Sequence, residues 1–301
     1  MKPRFLPLVL VLVGVQLAAA QDMPANYAAV LKDLGRQGDF KDGVLKVNIP
    51  RNDLNVVVDG VATPTPFGFG GWIALTKGDA GMDVMMGDLV LTEDEVNPVM
   101  SAVLNQGLDV TALHNHFFHE TPRIFYMHVH GHGTAADITK RIKPALDLIG
   151  KAIVSASTGR VDGTVVASTL DTAKLGAMIG TPGEQTGQVY KITIGRPDIN
   201  LREMGASINA RMGLNTWAAF FGSNDSAVVA GDVAMLETEV TPVLKTLRAN
   251  GLEVVAIHHH MTGPRPTVIF LHYWGKGPAA KLAAGVKAAI DLLGKPVAAA
   301  H

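Results

Sequence analysis

Cysteine is absent from all 301 residues. That excludes a disulfide framework, a thiolate zinc site and a cysteine nucleophile. It also removes the acceptor for a lipid anchor behind a leader segment. Charge is sparse and balanced, 18% of residues with a formal net charge of -1, which leaves no electrostatic footprint for nucleic acid or an anionic membrane. Past the N-terminal segment no apolar run approaches about 18 residues, so stable membrane insertion of the mature chain is not expected. Nor is disorder, because 48% of the residues are hydrophobic and net charge is low. The sequence has no G-x-S-x-G and no H-E-x-x-H, which removes two common routes to hydrolysis.

The first twenty residues stand apart. Lys2 and Arg4 precede a short apolar run that ends in Ala18, Ala19 and Ala20, the layout of a signal peptide cleaved after Ala20. Export to the periplasm or the extracellular space is therefore expected.

The rest of the chain reads as a duplication. "VLKVNIPRNDLN" from Val44 matches "VYKITIGRPDIN" from Val189, and Trp72 falls on Trp217 at the same offset. After a one-residue deletion Gly87-Asp88 falls on Gly231-Asp232, Glu95 on Glu239, and Ile149 on Leu293. The period is that of a domain rather than of a solenoid unit. The expected organisation is a signal peptide over 1–20, a first repeat domain over 24–151, a linker over 152–167 and a second repeat domain over 168–298.

Within a repeat, Val44–Ile49, Trp72–Leu75 and Asp83–Leu91 read as strands by their β-branched and apolar content. Glu93–Gln106 has helical spacing and stops at Gly107. Leu108–His116 and Arg123–Gly131 read as paired strands around a turn holding Pro122, and Ala135–Ile149 as an amphipathic helix. The fold class expected is α+β: two tandem repeats, each an antiparallel sheet with helices packed on one face.

Ten of the eleven histidines lie in two stretches, "ALHNHFFHETPRIFYMHVHGHG" and "AIHHHMTGPRPTVIFLHYWGKG". Residues two apart on a strand share a face, so His114 pairs with His116 and His128 with His130. A hairpin register setting His114 opposite His130 and His116 opposite His128 would bring all four together. His114, His116 and His128 recur as His258, His260 and His272, whereas Trp274 and Lys276 replace His130 and His132. A three-histidine set in each repeat suits a divalent transition metal, and the lack of thiolates favours zinc over copper. His114, His116, His128, His130, His258, His260 and His272 are the expected ligands. The bland alternative is hydrogen-bonded sheet histidines, which His130, His132 and His259 fit best.

Glu95 can close a capping box with Thr92; its counterpart Glu239 persists although Leu236 replaces Thr92, which points to a role beyond capping or to an interaction with the helix dipole. Glu120 lies in the loop beside the histidines. Both carboxylates are candidates for proton transfer. Asp53 and Asp198, each two residues after an arginine, read as turn-fixing. "FGFGGW" lacks the spacing of a phosphate loop, and Met82, Met85 and Met86 read as core.

The run "GDLVLTEDEVNPVMSAVLNQGLDVTALHNHFFHETPRIFYMHVHG" and its echo "VVAIHHHMTGPRPTVIFLHYWG" resemble the LppY/LpqO family, a bacterial group of exported domains of unknown function. The resemblance implies bacterial origin and export. It carries no substrate, reaction or catalytic residue, and this chain departs from the family's lipoprotein-like members in having no cysteine. Three functions stay open: a metal-assisted hydrolase or hydratase acting on a small molecule; a protein that stores, delivers or senses metal; and a metal-free module binding a small ligand or the cell envelope, with Trp72 and Trp217 lining a groove. The extra His119, Glu120, His130 and His132 make the first repeat the expected seat of function.

Overall fold

The computed structural model describes residues 22–151, 163 and 167–295; the expected signal peptide and most of the expected linker lie outside them. The first repeat runs α1 (Ala25–Leu34), β1 (Gly38–Lys41), β2 (Val44–Pro50), β3 (Val56–Val58), β4 (Val61–Thr63), β5 (Gly70–Lys77), β6 (Asp83–Thr92), α2 (Glu93–Asn105), β7 (Asp109–His114), β8 (Glu120–Thr121), β9 (Ile124–Gly133) and α3 (Ala135–Leu146). The second runs α4 (Thr172–Ile179), β10 (Glu184–Thr186), β11 (Val189–Gly195), β12 (Arg202–Glu203), β13 (Ala206–Ser207), β14 (Asn215–Gly222), β15 (Ala227–Leu236), α5 (Glu237–Ala249), β16 (Glu253–His258), β17 (Val268–Gly277) and α6 (Ala279–Ile290).

Each repeat builds one six-stranded antiparallel sheet, in the orders β1-β2-β5-β6-β9-β7 and β10-β11-β14-β15-β17-β16. The two orders are the same in corresponding strands, so the halves share one topology. Helices cover one face of each sheet. Val99 and Val103 of α2 and Ile138 and Ile142 of α3 pack on Leu45, Ile73 and Met127, and α4 to α6 do the equivalent in the second repeat.

The other face of each sheet is not left to water. Val90, Ile124 and Tyr126 of the first repeat share a cluster with Val228, Ala230 and Trp274 of the second. Met86 and Val84 likewise join Phe270 and Ala234. The molecule is therefore four layers, helices–sheet–sheet–helices. This explains β6, "DVMMGDLVLT", which is buried along nearly its whole length: a strand covered on both faces need not alternate apolar and polar residues.

An ion cluster locks each repeat on its helix side. The buried Arg51 guanidinium donates from Nη1 to Glu95 Oε2 at 2.6 Å and to the Val90 carbonyl at 2.7 Å, and from Nη2 to Asp53 Oδ2 at 2.7 Å. Glu95 also accepts from the Thr92 amide at 2.8 Å and the Gly150 amide at 2.7 Å. One carboxylate thus caps α2 and ties it to β2, to β6 and to the end of the repeat. Arg196, Asp198 and Glu239 repeat the arrangement, with the Gly294 amide donating to Glu239 at 2.6 Å. Asp53 and Asp198 hold an arginine each, in keeping with a turn-fixing role.

Candidate functional site

The histidines lie on the inner faces, where the sheets meet. On β9, Met127 and Val129 point into the helix-side core, so Tyr126, His128 and His130 point at the other repeat. The expected hairpin register is corrected here. Ala112, not His116, pairs with His128, His114 pairs with Tyr126, and a bulge between Val110 and Ala112 sets Asp109 opposite His130. His116 falls beyond the end of β7, and Glu120–Thr121 leaves the turn to pair with β3.

The register shift separates His114 from His130, and two of the three clusters are completed by the facing repeat. Ring centroids lie 3.9 Å apart for His114 and His258, 3.5 Å for His116 and His272, and 4.2 Å for His128 and His260. Every one of these contacts crosses between repeats, and the last two are equivalents under exchange of the halves. Three groups of potential ligand atoms lie within 4.8 Å of one another: His114, His116 and His272; His114, His128 and His258; Asp232, His258 and His260. None of these three groups, found among the described residues, is the expected set of His114, His116 and His128 from one repeat alone. An H-x-H pair from one strand end meets the third histidine of the other copy.

These groups could hold a metal ion. Both ring nitrogens of His114, His116 and His258, Nδ1 of His260 and Nε2 of His128 and His272 are buried without a hydrogen-bond partner. Each such atom costs about 1–3 kcal/mol if it stays unsatisfied, so a cluster this dense calls for a ligand. His128 has a backbone hydrogen bond with Gly87, and His272 Nδ1 lies 3.3 Å from the Gly231 carbonyl. A carbonyl on one ring nitrogen fixes the tautomer and presents the other to a metal. Burial, and then the neighbouring imidazoles, push the His258 and His272 rings far below the ordinary histidine range, and His114 falls to about 3. The rings are therefore neutral at physiological pH, as ligands must be.

The two ends of the cluster differ. His116 stacks on Tyr126, whereas its counterpart His260 stacks on Phe270. The Tyr126 hydroxyl and Glu120 Oε2 are buried without partners. Glu120 Oε1 accepts from the Ile124 amide at 3.0 Å, and burial, outweighing that bond and the pull of Arg123, lifts the carboxyl to about 7. A cavity of about 540 Å³ lined by His114, Asn115, Phe117, Glu120 and Arg123 opens beside this end. At the opposite end Pro264 stands where Glu120 does, and Asp232 Oδ2 lies 3.5 Å from His260 Nε2.

The other expected residues fall elsewhere. His130 is buried on the inner face but turns to Glu203 of the second repeat, Nε2 to Oε2 3.1 Å. His119, His132 and His259 are exposed. Glu95 is on the helix side of its sheet, both oxygens engaged by Arg51, Thr92 and Gly150. Asp88 and Asp232 were not singled out from the sequence as site residues. They sit cross-strand from His128 and His272 respectively, and burial raises both, Asp88 to about 7. Their recurrence after Gly87 and Gly231 was the available signal; a single acid in an apolar strand is unusual unless it has a partner.

No helix among the described residues is long and apolar enough to cross a membrane. No curated protein sequence matches the chain. Among solved structures, the trimeric bacterial microcompartment shell protein PduB is similar at 12% identity over 82% of this chain and 86% of its own, with a TM-score of 0.19. EtuB from Clostridium kluyveri is similar at 10% identity over 84% and 90%, also with a TM-score of 0.19. Overlaps this poor support no inference. The family described as Domain of Unknown Function (DUF1259) matches residues 28–148 and again residues 173–292, and the chain accordingly belongs to that family as two copies of one domain.

Proposed function

We propose that this chain is an exported transition-metal protein whose centre is held between its two repeats, with zinc favoured over copper. The observation that carries the reading is the set of buried, partnerless nitrogens on six histidines, gathered into groups within 4.8 Å. Export rests on the leader-like residues 1–20 and agrees with the resemblance to the LppY/LpqO family; neither names a reaction.

The two ends of the centre divide the work. His258, His260 and Asp232 supply a closed, mixed nitrogen and oxygen set suited to a structural ion. His114, His116 and His272 supply three nitrogens beside a cavity, with Glu120 and Tyr126 on its flank. An ion with three protein ligands provides Lewis acidity and an open coordination position. A carboxyl near pH 7 is suited to accept and return a proton. This combination favours a metal-assisted hydrolase or hydratase acting on a small molecule over a metal store, which needs no cavity beside its ligands.

Elemental analysis of tag-free protein tests the metal, with at least one zinc or copper ion per chain expected. Protein that stays metal-free after dialysis against both ions would overturn the reading. Cobalt-substituted protein then separates enzyme from store. An absorption change on adding azide reports an exchangeable position, whereas a saturated storage site gives none.

A further inference from the structure

The cavity beside His114 has two kinds of wall. Phe117 and Phe118, in the loop after β7, and Val255 and Ala256 of β16 make one side apolar. Phe118 is 47% exposed, so this wall still has apolar surface to bury. The other side is polar, with His114, Asn115, Glu120 and Arg123 lining it. Asn115 donates from Nδ2 to the Ile124 carbonyl at 2.6 Å, and Glu120 Oε1 accepts from the Ile124 amide at 3.0 Å.

Arg123 is not engaged in this way. Its guanidinium lies 5.8 Å from the Phe125 ring centroid, and among the described residues it has no hydrogen bond and no ion pair. Glu120 is the acid on the same wall; Arg123 favours its charge through space, but no bond joins the two. Five N–H donors in a fixed planar fork are therefore left for whatever enters the cavity. The second repeat keeps none of this wall. Met261, Thr262, Pro264 and Thr267 stand where Phe117, Phe118, Glu120 and Arg123 do, although the three histidines are retained. The same hairpin thus forms without these side chains.

We infer that this cavity takes a small molecule carrying one carboxylate on an apolar body, the carboxylate held by Arg123 and the body packed against Phe118 and Val255. A single guanidinium matches a single carboxylate through two parallel hydrogen bonds. A phosphate dianion would leave its second charge beside Glu120 with no cation on the wall to meet it. The cavity, about 540 Å³, has the size of a small-molecule pocket. Arg123 is then the residue that selects and orients the substrate, not a catalytic one. The inference rests on the metal reading for the ion next to the cavity, and it names the substrate class of that same site.

Calorimetric titration of the full-length protein, with and without added zinc and with metal content measured in each sample, tests the site. Hydrocinnamate, hydrocinnamide and phenyl phosphate compare a carboxylate, its neutral amide and a phosphate on similar apolar bodies. Hydrocinnamate should bind saturably, and the amide about tenfold or more weakly. R123M should lower the hydrocinnamate affinity by about the same factor, leaving amide binding and ion stoichiometry unchanged. R123K should recover part of the loss, since an ammonium keeps the charge but not the paired bonds. Circular dichroism should show both variants folded. Three results each overturn the inference: no saturable binding of hydrocinnamate, tighter binding of phenyl phosphate, or a carboxylate preference that survives in R123M, which would put the anion on the ion instead. Protein that takes up no metal yet shows the Arg123-dependent preference would sink the metal reading and leave the carboxylate site standing.

Discussion

His114 and His258 stack face to face with ring centroids 3.9 Å apart. They are the same residue in two copies of one domain, so the contact marks the pseudo-twofold relation between the repeats. His116 with His272 and His260 with His128 are its symmetric consequences. The groups His114–His116–His272 and His114–His128–His258 therefore draw on both repeats.

Ligand loss should accordingly follow the spatial pairs rather than the sequence repeats. His116→Ala and His272→Ala, one in each half, should abolish the same metal-binding step. The double variant should lose no more than either single one, because the two residues act as a unit. His260→Ala should spare that step and weaken the other. Competitive zinc titration of the four variants decides this, and grouping by repeat would restore the model of one site in each half.

Removing the metal should loosen the whole molecule. An ion that binds only the folded state at about 100 times its Kd adds roughly 2.7 kcal/mol. Stripping it would also leave the buried nitrogens unpaired again. Chelation should lower the Tm, with zinc restoring it, measured by calorimetry on one sample before and after readdition.

Glu95→Gln should act on stability and leave the metal untouched. The substitution strips the charge from the partner of the buried Arg51, and breaking a buried pair costs about 3–5 kcal/mol. Chemical denaturation should register a loss in that range, with ion stoichiometry unchanged. Loss of metal without loss of stability would return Glu95 to the functional site.

Two opposing pH effects are expected in metal-free protein. The buried histidines sit below their ordinary value of 6.5. The stability they contribute is therefore present above pH 6.5 and lost as the pH falls below it. Glu120 is displaced the other way, from 4.5 to about 7. Its contribution is full below pH 4.5 and declines as the pH rises through 7. Glu120→Gln removes only the second effect, so the variant should gain stability relative to wild type between pH 5 and 8, read from denaturation midpoints. A constant difference across that range would show Glu120 ionised throughout.

Much of the fold was legible in the chain. The match of "VLKVNIPRNDLN" to "VYKITIGRPDIN" made two equivalent halves unavoidable. The apolar spacing of Glu93–Gln106 and Ala135–Ile149 placed α2 and α3 to within a few residues. The histidine pattern drew attention to the residues that the structure brings together between the repeats.

The partners of those histidines were not legible. Strand periodicity does not fix a register, and β7 pairs with β9 four residues away from the expected register, which sets Ala112 rather than His116 opposite His128. Glu95 showed only its capping contact with Thr92, because its other partner, Arg51, is 44 residues away. Asp88 was not singled out as a site residue, since nothing local says that its face of the sheet is covered.

The sequence by itself determined two copies of one α+β domain with the histidines in two matching stretches, because local periodicity and duplication are properties of the chain. Only the tertiary structure decided that the inner faces meet, so that His116 finds His272 and His128 finds His260. The physical reason is burial. Each sheet has a second apolar face that helices from its own repeat do not cover, and packing the two faces together removes both from water.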